Sequence, residues 1–147
     1  MTLEIVAGEQ YRPLVRDWVF ERVRDLRTPP ERDYEAIGVA NGKGVIGGVI
    51  YSHYHEIAEG EHDIMLTAAG EVGWLTRRTL SAILGYPFLQ LRCVRLTSLV
   101  AKSNKASRNL VERLGFKLEG CMKHGRGIGK DCLIYGLIRD DADKWLK

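Results

Sequence analysis

Residues 94–100 read Val-Arg-Leu-Thr-Ser-Leu-Val, apolar or β-branched at nearly every position. A strand of this kind offers no polar face to water, so it needs cover on both sides. The flanking segments can supply it. Residues 74–91 place Leu80, Ile83, Leu84, Phe88 and Leu91 on one helical face, with Gly85 and Pro87 expected to bend the helix. Residues 104–114 form a second helical pattern, closed by Gly115 at the C-cap. A buried strand between two helices implies a sheet with at least one parallel neighbour.

The rest of the chain fills in that sheet. Residues 2–6 read as a strand, and residues 9–26 as a helix with Leu14, Val15, Trp18, Val19, Val23 and Leu26 on its apolar face. Thr28-Pro29-Pro30 is a loop. Residues 35–40 and 45–54 pair across an Asn41-Gly42 turn, with Gly47-Gly48 allowing a close approach or a bulge. A third strand runs over 61–67 after a turn at Gly60. Residues 116–121 and 132–138 are two more, with 125–129 between them and a short terminal helix over 140–147. The order is β-α-β-β-β-α-β-α-β-β. The expected class is α/β, as an α+β mixed sheet with one parallel pair around the Trp74 helix. Ligands of open sheets sit where neighbouring strands diverge, here beside residues 67–73 and 94–100.

Length and charge narrow the function classes. The 147 residues suit one domain over 1–147 and are too few for two good cores. No apolar run reaches 18 residues, so no membrane helix is expected, and the N-terminus lacks the pattern of a secretion signal. Cys93, Cys121 and Cys132 are odd in number and widely spaced, which argues against a disulfide framework and for a reducing cytoplasm. The 22 basic residues interleave with 19 acidic ones for a net charge of +3, so nucleic acid is not an expected partner. Local basic clusters at Arg77-Arg78, 102–108 and 123–130 would suit a ligand with several phosphates as well as they suit solvent.

The segment Ala101-Lys-Ser-Asn104-Lys-Ala-Ser107-Arg-Asn-Leu-Val-Glu-Arg-Leu-Gly115-Phe116-Lys-Leu-Glu119-Gly120 resembles the Asn-x-x-Ser…Leu-Gly-Phe-x-x-Glu-Gly segment of the GNAT N-acetyltransferase superfamily. It is most similar to members that acetylate ribosomal-protein N-termini and to their bacterial and phage relatives. Lys130-Asp131-Cys-Leu-Ile-Tyr135-Gly-Leu-Ile-Arg139 resembles the strand that follows in that group, and Tyr86-Pro-Phe88 the end of its central helix. The resemblance implies a GNAT-like fold and acetyl-CoA as co-substrate, with Asn104 contacting coenzyme A and Ser107 near the sulfur. On residue chemistry alone, Asn104 is equally an N-cap and Ser107 a first-turn polar residue.

Two departures stand out. The family's pyrophosphate loop is glycine-rich, so that backbone N–H groups at a helix N-terminus face phosphate. Here the aligned stretch is Gly70-Glu-Val-Gly73-Trp-Leu-Thr76-Arg77-Arg78, with only two glycines. Either Thr76, Arg77 and Arg78 bind phosphate in their place, or Trp74 closes the loop. The second departure is Val111, standing where many relatives carry a tyrosine that protonates the thiolate.

The chemistry needs a polarised thioester carbonyl, a proton acceptor near the amine and a proton donor for the thiolate. A backbone N–H on a bulged strand at Leu66, Thr67 or Ala68 can serve the carbonyl. Glu61, His62 and Asp63 are the candidate acceptors, and Ser107 and Tyr135 the candidate donors. His53, His55 and His62 could gather around zinc, but a polar pair on a solvent-facing strand is the simpler account, and no metal is expected. Cys93 and Cys121 read as buried, which excludes them as nucleophiles. The expected activity is direct transfer from acetyl-CoA to a primary amine, on a protein N-terminus or a small molecule. A noncatalytic GNAT-like binding module with a degenerate loop is the alternative, and a homodimer is possible.

Overall fold

A computed structural model describes residues 2–23 and 29–147. The expected helix end at Leu26 and the loop residue Thr28 lie outside the described residues. In chain order the elements are β1 (Glu4–Ala7), α1 (Arg12–Arg22), β2 (Tyr34–Asn41), β3 (Gly44–Ala58), β4 (Glu61–Gly70), α2 (Arg77–Gly85), β5 (Arg95–Ala101), α3 (Lys105–Leu114), β6 (Lys117–Met122), β7 (Cys132–Ile138) and α4 (Arg139–Ala142). They build one seven-stranded mixed sheet in the order β1-β2-β3-β4-β5-β7-β6. Among the described strands only β4 and β5 are parallel. They are joined through α2, the crossover expected around Trp74.

Register fixes which helices share a face. Tyr51 sits opposite Leu66, Ile64 opposite Leu96, and Ser98 opposite Tyr135. Strand alternation then places Tyr51, Leu66, Ser98 and Tyr135 on one side of the sheet. The Tyr51 hydroxyl donates to Ile83 O of α2, and the Tyr135 hydroxyl to Glu112 of α3. α2 and α3 therefore cover the same face, where Ile83, Leu84, Phe88, Leu96, Leu114 and Leu137 form the main core. α1 covers the other face, packing Val15 and Val19 against Ala36, Ile50 and Ala69.

Local sequence explains how α2 ends. Pro87 has no N–H to give Ile83 O, the acceptor four residues back. The Tyr51 hydroxyl reaches that carbonyl at 2.5 Å instead. The chain then widens into a π-turn over Tyr86–Gln90, with Leu91 N donating to Tyr86 O. The bend expected from Gly85 and Pro87 takes this form. Elsewhere the hairpin turn falls one residue later than the Asn-Gly signal suggests. Asn41 ends β2 opposite Gly44 and its side chain accepts from Lys43 N, so Gly42 and Lys43 are the central pair.

Candidate functional site

β4 and β5 pair only where Asp63, Ile64 and Met65 face Arg95, Leu96 and Thr97. Beyond that point they separate. The first residue past the ladder, Leu66, offers its carbonyl across the gap, where the Ser98 hydroxyl meets it at 2.8 Å. Alternation along the strand turns the backbone groups of Ala68 toward the same gap. The separation, and not a bulge, exposes them: β4 stays in unbroken register with β3 from Met65 opposite Ser52 to Gly70 opposite Gly47. The bulge expected at Leu66, Thr67 and Ala68 is therefore corrected.

The gap opens into a cleft of about 420 Å³. Ala68 and Gly70 line one wall, Asn104, Ser107 and Leu110 of α3 another, and Arg22 and Val23 at the end of α1 the far side. Its size lies within the roughly 300–1,000 Å³ of ordinary small-molecule sites. Because α1 and α3 lie on opposite faces, the cleft runs through the sheet. Asn104 is the N-cap of α3, its Oδ1 accepting from Ser107 N at 3.1 Å, so its side chain is fixed where strand gives way to helix and Ser107 follows in the first turn. Gly115 closes the helix at φ 108°.

Trp74 also lines this cleft, yet it is 2% exposed. Gly47 and Gly70 are cross-strand partners, and the indole lies flat over both. A Cβ on Gly47 would come within 2.2 Å of the ring, and one on Gly70 within 2.1 Å. α2 consequently starts at Arg77, after a turn in which Trp74 N donates to Glu71 O. Thr76 is its N-cap, in a reciprocal box with Thr79: Thr79 N donates to the Thr76 hydroxyl and Thr76 N to the Thr79 hydroxyl. Both arginine side chains are tied back to neighbouring backbone, Arg77 to Lys144 O at 3.2 Å and Arg78 to Leu3 O at 2.9 Å. Thr76, Arg77 and Arg78 are not among the residues that line the cleft.

The three candidate proton acceptors separate at the start of β4. Glu61 is exposed, five residues before Leu66 and about 16 Å away along a strand. His62 stacks on Tyr54, ring centres 4.8 Å apart. Asp63 is buried: Oδ2 accepts from the Thr97 hydroxyl at 2.8 Å, while Oδ1 accepts no hydrogen bond and lies 3.8 Å from Arg95 Nε. Arg95 is held more closely by Glu119, at 2.7 Å. Tyr135 is 1% exposed and gives its hydroxyl to Glu112 at 2.8 Å. Burial pushes its phenol above the ordinary value, opposed by Arg108 and reinforced by Glu112. Val111 is buried in the core.

A larger cavity of about 860 Å³ lies at the other end of β3, walled by Tyr34, Tyr51, Tyr54 and Tyr86. His53 and Tyr86 line it, but none of the expected catalytic or coenzyme-contacting residues does, and it sits where β4 and β5 are still paired, so the gap is the better candidate. Among the described residues no three His, Cys, Asp or Glu side chains gather as a metal-ligand set. His53 Nδ1 faces the Ser52 hydroxyl, and His55 Nδ1 donates to His53 O. Cys121 is exposed, contrary to the expected burial, because β6 is the sheet's edge. Sequence reasoning also missed Ser98 and Arg22. Only Ser98 left a signal, as a hydroxyl in the middle of the buried run 94–100. No helix among the described residues is long and apolar enough to cross a membrane.

A family profile described as Acetyltransferase (GNAT) domain matches residues 8–117. Among solved structures, ribosomal-protein-S5-alanine acetyltransferase from Vibrio fischeri superposes with a TM-score of 0.68 at 15% identity, covering 96% of this chain and 95% of that one. Spermidine N-acetyltransferase from Vibrio cholerae, in complex with CoA and spermine, gives a TM-score of 0.68 at 17% identity, over 95% of this chain and 97% of that one. An acetyltransferase of the GNAT family from Bacillus anthracis gives a TM-score of 0.55 at 20% identity, over 71% of this chain and 66% of that one. No curated protein matches.

Proposed function

The chain belongs to the GNAT family of acetyltransferases, and from that premise we propose that acetyl-CoA enters the gap between β4 and β5 and acetylates a primary amine presented at its open end. The observation that carries this reading is the end of the β4–β5 ladder after Met65 and Thr97, beside the cleft that Asn104 and Ser107 line. In the reaction the amine nitrogen bonds to the acetyl carbon, the carbon–sulfur bond breaks, the nitrogen loses a proton and the sulfur gains one. The backbone N–H groups of Leu66 and Ala68, which alternation turns toward the gap, hold the carbonyl oxygen, where they act in a water-poor site, and Thr67 between them pairs with β3. Ser107 protonates the sulfur.

Asp63 is the proton acceptor in this scheme. It lies on the same face of β4 as Met65 and Thr67, about 7 Å from Met65 along the strand, and its Oδ1 has no hydrogen-bond donor. Transfer runs through water. The phosphates lie at the N-terminus of α2, against the backbone N–H groups of Arg77 and Arg78 and not their guanidinium groups, which are tied back. Thr76 fixes that terminus by capping it. The acceptor is a protein N-terminus or a small amine, and the three free thiols agree with a cytoplasmic enzyme.

Titration with acetyl-CoA tests the donor site. Micromolar affinity that falls in Asn104→Ala, together with a kcat that falls in Asp63→Asn at unchanged affinity, is the expected result. No binding by about millimolar, roughly 4 kcal/mol, would overturn it.

A further inference from the structure

We propose that the acceptor amine is borne on an acidic peptide, held by a basic surface beside the open end of the gap. The inference rests on the donor reading above and adds the substrate's charge to it. Two segments distant in sequence meet here, 102–108 and 123–131. Together they hold six of the chain's 22 basic residues and one of its 19 acidic ones, so the remainder carries 16 against 18 and the net positive charge is local. Lys102 N donates to Asp131 O at 2.9 Å, and Arg108 Nη1 to Lys102 O at 3.1 Å.

The one carboxylate is turned inward. Asp131 accepts from His124 N and from Lys123 Nζ, and its side chain is 18% exposed against 79% for Lys123. Lys102, Lys105, Lys123 and Lys130 are exposed around it, whereas Arg108 and Arg126 are half-buried. The surface is also fixed before any partner arrives. Arg126 N donates to Lys130 O, Lys130 N to Gly127 O and Gly129 N to His124 Nδ1. Such preorganisation lowers the entropic cost of binding. Arg126 Nη2 reaches Leu99 O at 3.0 Å, on the strand that borders the gap, and Asn104 and Ser107 of the cleft lie between Lys102 and Arg108.

The composition of this surface favours a peptide over other anions. Six cations on two segments outnumber the charges of one small carboxylate. Neither segment contains Phe, Trp or Tyr, so the stacking platforms of a single-stranded nucleic-acid site are missing. Between Arg126 and Lys130 stands Ile128, 92% exposed, an apolar tip suited to a peptide side chain.

The test compares kcat/KM for three peptides with the same N-terminal residue, followed by acidic, neutral-amide or basic residues, at low and high salt. Acidic peptides are expected to exceed neutral ones by about tenfold at low salt, with the margin shrinking as salt screens it. Lys105→Glu with Lys130→Glu is expected to remove the preference. Both sites are exposed, and a glutamate at the first turn of α3 favours the helix. Equal kcat/KM for acidic and neutral peptides overturns the inference, as does a double variant that weakens acetyl-CoA binding but keeps the preference. Tighter binding of a short RNA than of the acidic peptide does the same. Acetyl-CoA titration separates the two readings: binding without peptide preference leaves the donor site standing, whereas no binding removes both.

Discussion

Substituting Gly70 by alanine should damage the fold through one contact, and the contact can be isolated. The new Cβ would sit 2.1 Å from Trp74 Nε1, whereas ordinary contact begins near 3.4 Å. The indole must therefore move by more than about 1 Å, and at 2% exposure it has nowhere to go except the cleft. If the core yields, the cost is that of overpacking, about 1–3 kcal/mol. If the ring is expelled, burial of about 150–250 Å² is lost at ~25 cal/mol/Å², or about 4–6 kcal/mol. Urea unfolding of wild type, Gly70→Ala, Trp74→Ala and the double variant gives the coupling. In the Trp74→Ala background, Gly70→Ala should cost less than about 0.5 kcal/mol, since an extended strand position accepts alanine. Equal costs in both backgrounds would refute the account of Trp74 as the reason for the glycine.

Tyr51→Phe removes the donor that stands in for the missing Pro87 N–H, leaving Ile83 O short of a partner in the core. Its expected cost is about 1–3 kcal/mol by denaturation, and a change within error would show that Ile83 O is satisfied another way. Cysteine alkylation of the native protein near pH 8 should label Cys121 alone. Burial pushes the Cys93 thiol up to about 11, and Cys132 is buried as well; labelling of Cys93 at the rate of Cys121 would contradict the packing around it.

The sheet and its crossovers were legible because their signals are local. The run 94–100, the Asn104 cap and Gly115 each act within a few residues, and the GNAT resemblance carried by that segment agrees with the family and the mixed α/β fold found here. The departures come from interactions between distant residues. Trp74 reads as the first residue of a helix, but two glycines on adjacent strands form a flat bed for it, and the helix starts later. Arg77 and Arg78 read as phosphate ligands, yet their guanidinium groups meet carbonyls near the two ends of the chain. Cys121 has the neighbours of a core residue in sequence and lies on an edge strand in space. Ser98 acquires meaning only once β4 and β5 are seen to part, which no periodicity encodes.

That parting also governs the mechanical cohesion of the molecule. Four strands lie on one side of the gap and three on the other. Along the sheet, among the described residues, the halves are joined by three residue pairs, the bond from Val94 N to His62 O, the Ser98 bridge, the Asp63–Thr97 bond and the Asp63–Arg95 ion pair. A donor molecule lying between Ala68 and α3 touches both halves at once, so it acts as a removable strut as well as a reactant. At a hundredfold excess over its Kd such a ligand adds about 2.7 kcal/mol to stability. In this geometry that increment falls on the seam between the halves, where it adds to the single core that both halves already share beneath α2 and α3.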